Sequence, residues 1–188
     1  MEYGSQKILD RIKKDITIEQ IIEVLKKLKK HNIEGSATFM TGFPFETEED
    51  LNELLNFFDK MHKINPRFKI FLCIYAPGPE TELYKECIKK FGLKKINSLD
   101  EWSTFDWGYQ YLQIPWIPSK KRDKLQTIAF IVQFRFGRIE ENLKKIHQKL
   151  AFKFLKLLAN LRWKYRFFSF PIEWRLYAYL RTRWRMTV

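Results

Sequence analysis

The sequence predicts an α/β fold with parallel strands, followed by an α-helical C-terminal extension. Two apolar segments, Ile33–Met40 and Lys69–Tyr75, are separated by a helical pattern, and strands joined by a helical crossover run parallel. Positive charge is concentrated near the C-terminus. Residues 138–188 hold 13 Lys and Arg residues but only 3 Asp and Glu residues. Residues 1–137 hold 22 Lys and Arg residues and 19 Asp and Glu residues. The two parts are therefore expected to differ in construction.

Helix signals flank both strands. A short helix is expected over Ser5–Lys14, with its first residue as N-cap. Thr17 and Gln20 form a capping box before a second helix. Thr47 precedes three acidic residues, as at the start of a third helix. A fourth helix should end at Gly92, which favours the conformation found after helix ends.

Four more helices are expected beyond that point, over Ser98–Phe105, Ser119–Phe136, Arg138–Leu161 and, after Pro171, Ile172–Arg185. The third of these carries an apolar stripe. Its members are Ile139, Leu143, Ile146, Leu150, Leu157 and Leu161. The chain is therefore divided into an α/β part over 1–92, an aromatic-rich connector and helix over 93–137, and a basic helical extension over 138–188.

Composition narrows the class of protein. At 188 residues and 45% hydrophobic content, the chain is long and apolar enough for one good core. Cys73 and Cys87 give neither a disulfide framework nor a metal-type spacing, which favours a reducing cytosol. The first residues lack a signal peptide's apolar segment, so we expect a cytoplasmic protein, with contact at the membrane surface as an alternative. The three histidines predict no metal site.

Three loops should lie on one rim of the sheet. They are residues 2–6, 41–46 and 76–81, and each follows a real or implied strand. In parallel sheets, ligands bind at the carboxyl ends of strands. These residue types are equally compatible with ordinary turns between strands and helices.

The three loops also match motifs of a known family. MEYGSQ opens the chain, with Tyr3 in place of the usual Ser; GFPFETEED follows the first strand; and YAPGPETELY follows the second, with Glu80 in place of Gly. Together they resemble the C-terminal half of a radical S-adenosylmethionine (radical SAM) protein. SLDEWSTFDW and RWKYRFFSFPIEW bring the resemblance closest to the subgroup with a cobalamin-binding domain. The resemblance implies half of a TIM-type barrel.

The resemblance implies that S-adenosylmethionine lies across these strand ends. The implied positions are Glu2 and Ser5 near its ribose and methionine moiety, Met40, Gly42 and Phe43 on its adenine side, and Tyr75 and Ala76 beside adenine. Glu46 would either contact the ligand or hold its own loop. The implied chemistry is radical methylation, ring formation or related C–H chemistry on an apolar or tetrapyrrole-like substrate, and the sequence points to no catalytic residue.

The family also uses a 4Fe–4S cluster bound by C-x3-C-x2-C, and this sequence has no such motif. Neither the cluster nor cobalamin has ligands here. We therefore expect a fragment or subunit that is inactive alone, and a partner chain that supplies the missing half-barrel and the cluster. An isolated half-barrel would expose an edge strand and one sheet face.

The segment Arg162–Arg185 interleaves basic residues with nine aromatic residues, and three interpretations compete. The aromatic residues are Trp163, Tyr165, Phe167, Phe168, Phe170, Trp174, Tyr177, Tyr179 and Trp184. We favour the interpretation in which the aromatic side chains pack on the protein while the basic groups stay solvated. In the second, they contact an anionic membrane surface. In the third, which is the least favoured, they bind nucleic acid. A non-enzymatic module that binds through this tail is the alternative function.

Overall fold

The computed structural model describes residues 1–103, 114–137, 146–170 and 172–176. Within them the chain is a mixed α/β structure, with helices before, between and after two strands. In chain order the elements are α1 (Gln6–Arg11), α2 (Ile18–Lys30), β1 (Ser36–Thr41), α3 (Glu48–Ile64), β2 (Lys69–Ile74), α4 (Glu82–Lys90), α5 (Leu99–Ser103), α6 (Ser119–Phe136) and α7 (Ile146–Lys164).

The two strands are parallel, as predicted. Their register runs from Ser36 opposite Lys69 to Thr41 opposite Ile74. The predicted start of β1 at Ile33 is wrong, because Asn32 adopts a left-handed conformation (φ 54°) after α2, and Ile33 is left exposed. Regular pairing therefore begins three residues later.

The two faces of the sheet differ in burial. Alternate residues of both strands, Phe39 and Leu72 among them, are buried, and Phe39 packs on Phe57 and Phe58 of α3. On the other face Thr38 is exposed, and the remaining side chains are at most partly covered within the described residues. Within the described residues the sheet is thus covered by helices on one face and at most partly covered on the other, the open sheet face.

The N-terminal residues extend the sheet at the edge of β1 opposite β2. The backbone N–H of Met40 donates to the carbonyl oxygen of Glu2 at 2.9 Å. Gly4 lies so close to α3 that an added Cβ would come within 2.7 Å of the Phe57 Cβ. This glycine is therefore needed for close approach of the backbone to α3.

Helix caps were well predicted, with one exception. The capping boxes at Thr17 and Thr47 are both complete, and Gly92 follows α4 with φ 71°. Ser5 occupies the N-cap position of α1, but its side chain makes no capping hydrogen bond. The helix is also shorter than predicted, since Lys13 is left-handed (φ 55°).

The C-terminal helices pack on the α/β part. Helix α6 has the predicted bounds, is buried on most sides from Leu125 onward, and contacts both β2 and α7. Trp163 of α7 stacks on Phe58 of α3, 6.5 Å between ring centroids, and donates from Nε1 to Asp59 at 2.8 Å. None of the described helices is both long and apolar enough to cross a membrane.

The division of the chain into three parts, over 1–92, 93–137 and 138–188, stays a prediction.

The apolar stripe of α7 is not the side that faces the core. The predicted stripe members Ile146, Leu150, Leu157 and Leu161 are exposed, whereas Ile139, Leu143 and the predicted start at Arg138 lie outside the described residues. The buried side consists of Phe152, Leu155, Ala159, Arg162 and Trp163. The helix carries two apolar sides, and tertiary packing selects the one containing Trp163.

The tail is packed only in part. Trp163 and Phe168 are buried, and Trp174 packs against Phe130 at 6.0 Å between ring centroids. Tyr165, Phe167 and Phe170 are exposed. The other predicted features of the tail, Pro171 and the helix beyond 176 with its aromatic residues, lie outside the described residues, as does the end of the helix predicted over Ser98–Phe105.

The expectation that the basic groups of the tail stay solvated is wrong for Arg162. This residue is 9% exposed, and its guanidinium donates to the backbone carbonyls of Phe167 (2.9 Å), Phe170 (3.0 Å) and Ser169 while pairing with Glu173. Arg162 thereby fixes the turn that follows α7.

Candidate cofactor site at the strand ends

The three loops expected on one rim do lie together. Strands β1 and β2 end opposite each other, and the pairing continues one step further, where the N–H of Tyr75 donates to the carbonyl oxygen of Thr41 at 2.7 Å. On the other side of β1, the Met40–Glu2 hydrogen bond brings in the N-terminal loop. The carboxyl ends of the strands therefore form one continuous edge.

Glu46 holds the loop after β1 from inside. Its buried carboxylate accepts a hydrogen bond from the Thr41 hydroxyl at 2.6 Å, and from the backbone N–H groups of Gly42 at 2.6 Å and Phe43 at 3.2 Å. Burial raises the pKa of this carboxyl, while the three hydrogen bonds act in the opposite direction. Both carboxylate oxygens are engaged within the loop, which favours the loop-holding role over direct ligand contact.

An aromatic cluster lies beneath the rim. The ring of Phe43 stacks on Tyr75 at 4.5 Å and on Phe45 at 5.6 Å, and Tyr3 meets it edge-on at 6.1 Å. Phe43 is 1% exposed, so its ring belongs to the core. Burial raises the pKa of the Tyr3 and Tyr75 hydroxyls, so both stay protonated. The Tyr3 hydroxyl has no hydrogen-bond partner within the described residues.

Gly42 is covered by residues from the connector and α6. Its φ of 82° is left-handed, and an added Cβ would lie 3.0 Å from Ile117 and 3.2 Å from Leu125. Trp116 donates from its indole Nε1 to the carbonyl oxygen of Gly42 at 2.9 Å. Sequence reasoning missed these contacts; the only signal was the aromatic-rich composition of the connector.

The other positions predicted to contact S-adenosylmethionine lie near the rim and have either accessible surface or a polar group. Met40 and Ala76 are half-buried, and the Glu2 carboxylate pairs with Lys14 at 2.9 Å. Ser5 is 7% exposed, with its hydroxyl not used in capping. Met40 also borders the open sheet face. The assignment of these residues to S-adenosylmethionine stays a prediction.

The cysteines do not fit an iron–sulfur cluster. Cys73 lies on β2 and Cys87 is buried in α4, and burial raises the pKa of both thiols, that of Cys87 to about 11. Cluster ligands are thiolates, which such environments disfavour. No group of three or more His, Cys, Asp or Glu residues suited to a metal ion occurs in the part of the chain that the structure describes.

Comparison with known proteins gives one family match and several relatives. Residues 1–58 match the sequence model of the Radical SAM superfamily. The chain is 33% identical over 101 residues to an uncharacterized protein of Methanocaldococcus jannaschii, covering 53% of this chain and 23% of the relative. It is 38% identical over 85 residues to a tRNA-2-methylthio-N(6)-dimethylallyladenosine synthase of Petrotoga mobilis. This match covers 44% of this chain and 18% of the relative.

A third relative gives a longer match. The chain is 28% identical over 131 residues to an uncharacterized methyltransferase of Pyrococcus horikoshii, covering 70% of this chain and 27% of that protein. The chain thus spans about a quarter or less of the length of these relatives. The first 58 residues, which contain α1, α2, β1 and most of α3, therefore match the radical SAM superfamily.

Proposed function

We propose that this chain supplies one side of the S-adenosylmethionine site of a radical SAM enzyme. The observation that carries the proposal is the meeting of three loops at one sheet edge, joined through the Met40–Glu2 and Tyr75–Thr41 hydrogen bonds. Ligand sites in parallel α/β proteins form at this edge. The superfamily match over residues 1–58 covers two of the three loops and supports the same assignment.

The residues at the rim fit this ligand in part. The half-buried side chains of Met40 and Ala76 offer an apolar surface on which adenine would lie. The Glu2 carboxylate would accept hydrogen bonds from ribose hydroxyls or from the ammonium group of the methionine moiety. Gly42, Phe43 and Glu46 would act one layer below, since their polar groups or rings are already engaged within the protein.

The cluster would come from another polypeptide segment. Neither cysteine fits the role, so we propose that a second segment or chain supplies the 4Fe–4S site and covers the open sheet face and the edge beyond residues 1–4. When bound beside a reduced cluster, S-adenosylmethionine supplies a carbon-centred radical for attack on C–H bonds. This chain's residues would hold and orient the ligand and keep water from its adenine side.

The proposed reaction class is radical methylation or a related C–H conversion. Two relatives are named as an uncharacterized methyltransferase and a tRNA-2-methylthio-N(6)-dimethylallyladenosine synthase, which supports transfer of a methyl or methylthio group. Within the superfamily we propose the cobalamin-dependent subgroup, because SLDEWSTFDW in the connector and RWKYRFFSFPIEW in the C-terminal extension resemble it. Cobalamin itself would be bound outside this chain.

The proposal is tested by binding of radiolabelled S-adenosylmethionine to the 188-residue chain in equilibrium dialysis. We expect measurable binding that Ala76→Trp weakens by at least about tenfold, the equivalent of about 1.4 kcal/mol, because the larger side chain fills the adenine surface. Ala151→Trp, the same change on a half-buried position of α7, should leave binding unchanged. Absence of binding, or equal losses in both variants, would contradict the assignment.

A second experiment tests the missing cluster. The purified chain is incubated anaerobically with iron, sulfide and a reductant, and then assayed for cluster absorbance and 5′-deoxyadenosine. We expect neither. A stable cluster together with cleavage of S-adenosylmethionine would show that the chain is a complete radical SAM enzyme.

A further inference from the structure

Helix α7 presents an apolar stripe to solvent. Ile146, Leu150, Phe154, Leu157 and Leu161 are between 44% and 77% exposed. At about 100° per residue they fall within an arc of about 80°, roughly opposite the buried side. Contiguous exposed apolar surface of this kind normally marks an interaction site. Among the described residues, α7 packs on the rest of the chain through the opposite side.

The stripe carries a positive flank and no negative charge. Helix α7 contains no Asp or Glu. Lys149, Lys153 and Lys164 are exposed and follow the stripe along one side of the helix. An apolar stripe flanked by lysines is the pattern of a helix that lies in the interface of an anionic membrane.

A basic cleft adjoins the stripe. It has a volume of about 500 Å³, lies between α3, α6 and α7, and shares Leu157 and Leu161 with the stripe. Among the described residues, four cationic side chains and one carboxylate line it. These are Lys63, Arg135, Lys164 and Arg166, with Asp59. The cleft therefore carries an excess of positive charge directly beside apolar surface.

Two guanidinium groups of the cleft have unused donors. Arg166 pairs with Asp59 at 2.8 Å and lies 4.5 Å above the Trp163 ring, yet its Nη1 has no hydrogen-bond partner within the described residues. The same holds for Nε of Arg135. Both donors are shielded from solvent, so what suits a phosphate group here is the positive charge of the cationic side chains that line the cleft.

We propose that α7 docks on an anionic lipid bilayer, with its apolar stripe among the acyl chains and a lipid phosphate in the basic cleft. The proposal is independent of the S-adenosylmethionine site. Charge complementarity favours this occupant: a second copy would place lysine flank against lysine flank. Nucleic acid would leave the apolar stripe exposed.

A second segment that completes the sheet, as proposed above, would also leave the stripe uncovered. Helix α3 covers the buried sheet face through Phe57 and Phe58, and α7 packs on α3 through Trp163. The open sheet face and the edge formed by residues 1–4 lie on the other side of the sheet or at its border. A segment that completes the sheet would contact those surfaces.

The test is sedimentation of the full chain with vesicles of phosphatidylcholine, with and without phosphatidylglycerol. We expect binding to the anionic vesicles, weak binding to the neutral ones, and a loss of affinity at high salt as the Debye length falls. Lys63→Gln with Lys164→Gln should weaken binding by about 30-fold, since each lysine near an anionic surface contributes about a fivefold gain. Leu157→Ser with Leu161→Ser should weaken it by about tenfold or more.

Matched variants control for general charge and apolarity. Lys26→Gln with Lys30→Gln removes the same charge from exposed positions of α2, and Val24→Ser with Ile33→Ser removes exposed apolar side chains elsewhere. Both should bind like the parent chain, and circular dichroism should show that every variant is folded. Failure of the parent chain to bind anionic vesicles would overturn the proposal. Equal losses of vesicle affinity in the control variants would also overturn it. A third contradicting result would be a chain that binds RNA but not vesicles, with RNA binding unaffected by Leu157→Ser and Leu161→Ser.

Discussion

Replacing Glu46 tests how the loop after β1 is built. Glu46→Ala removes the acceptor for the Thr41 hydroxyl and for the backbone N–H groups of Gly42 and Phe43. The surrounding residues are buried, so water would not replace it easily. Glu46→Gln is the matched variant, because after rotation its amide oxygen can accept from the two N–H groups while its NH₂ donates to Thr41.

The expected cost follows from the two backbone donors. A buried donor left without a partner costs about 1–3 kcal/mol, so two cost about 2–6 kcal/mol. Part of this is offset, because the variant no longer buries a carboxyl whose pKa is raised by burial. We therefore expect Glu46→Ala to lower the free energy of unfolding by about 2–4 kcal/mol, and Glu46→Gln to lower it by less than about 1 kcal/mol.

Urea unfolding at neutral pH measures both variants. With a slope of about 2 kcal/mol per molar urea, a loss of about 3 kcal/mol moves the midpoint by about 1.5 M. Equal midpoints for Glu46→Ala and the parent chain would refute the loop-holding role. If Glu46→Gln kept its stability but lost S-adenosylmethionine binding, direct ligand contact would be the correct role.

Three further predictions concern other positions. Arg162→Ala should lower the free energy of unfolding in urea by about 2–4 kcal/mol and increase proteolysis after α7, because three backbone carbonyls and Glu173 lose their partner. A decrease no larger than that caused by Arg175→Ala would argue against the role of Arg162. Burial raises the pKa of Asp50, but hydrogen bonds from Lys7 and Thr47 outweigh it and hold that pKa below its ordinary 3.8. The stability from Asp50 is therefore present above pH 3.8 and lost as pH falls further, so Asp50→Asn should cost about 1 kcal/mol at pH 7 and less near pH 3; a pH-independent difference would contradict this. Glu80→Gly should stabilise by about 1 kcal/mol, since Glu80 has φ 60° where the related motif has glycine; a destabilised variant would contradict it.

Local signals predicted most of the α/β part. The capping box at Thr17, the helix cap at Thr47 and the start of β2 at Lys69 depend on residues close together in the sequence, so the pattern was sufficient, although β2 ends one residue before the predicted Tyr75. The meeting of the three loops followed from the parallel arrangement. The start of β1 was misplaced because an apolar Ile33 resembles a strand residue, although its backbone belongs to the turn after α2.

Contacts between distant segments could not be predicted. Helix α7 has two apolar sides, and only the position of α3 determines that the Trp163 side is buried. Likewise, Trp116 and Leu125 cover Gly42 from more than 70 residues away in the sequence. Arg162 looked like a solvated basic residue because its carbonyl partners are invisible in a residue pattern.

Methyl NMR of methionine tests the proposed ligand site most directly. The chain is labelled with ¹³C at the methionine methyl groups and titrated with S-adenosylmethionine. Met40 borders the rim and is half-buried, whereas Met61 of α3 is fully buried and serves as an internal control. We predict that the Met40 resonance shifts and saturates while Met61 stays unchanged. An unshifted Met40, or equal shifts of both, would contradict the placement of S-adenosylmethionine at these strand ends.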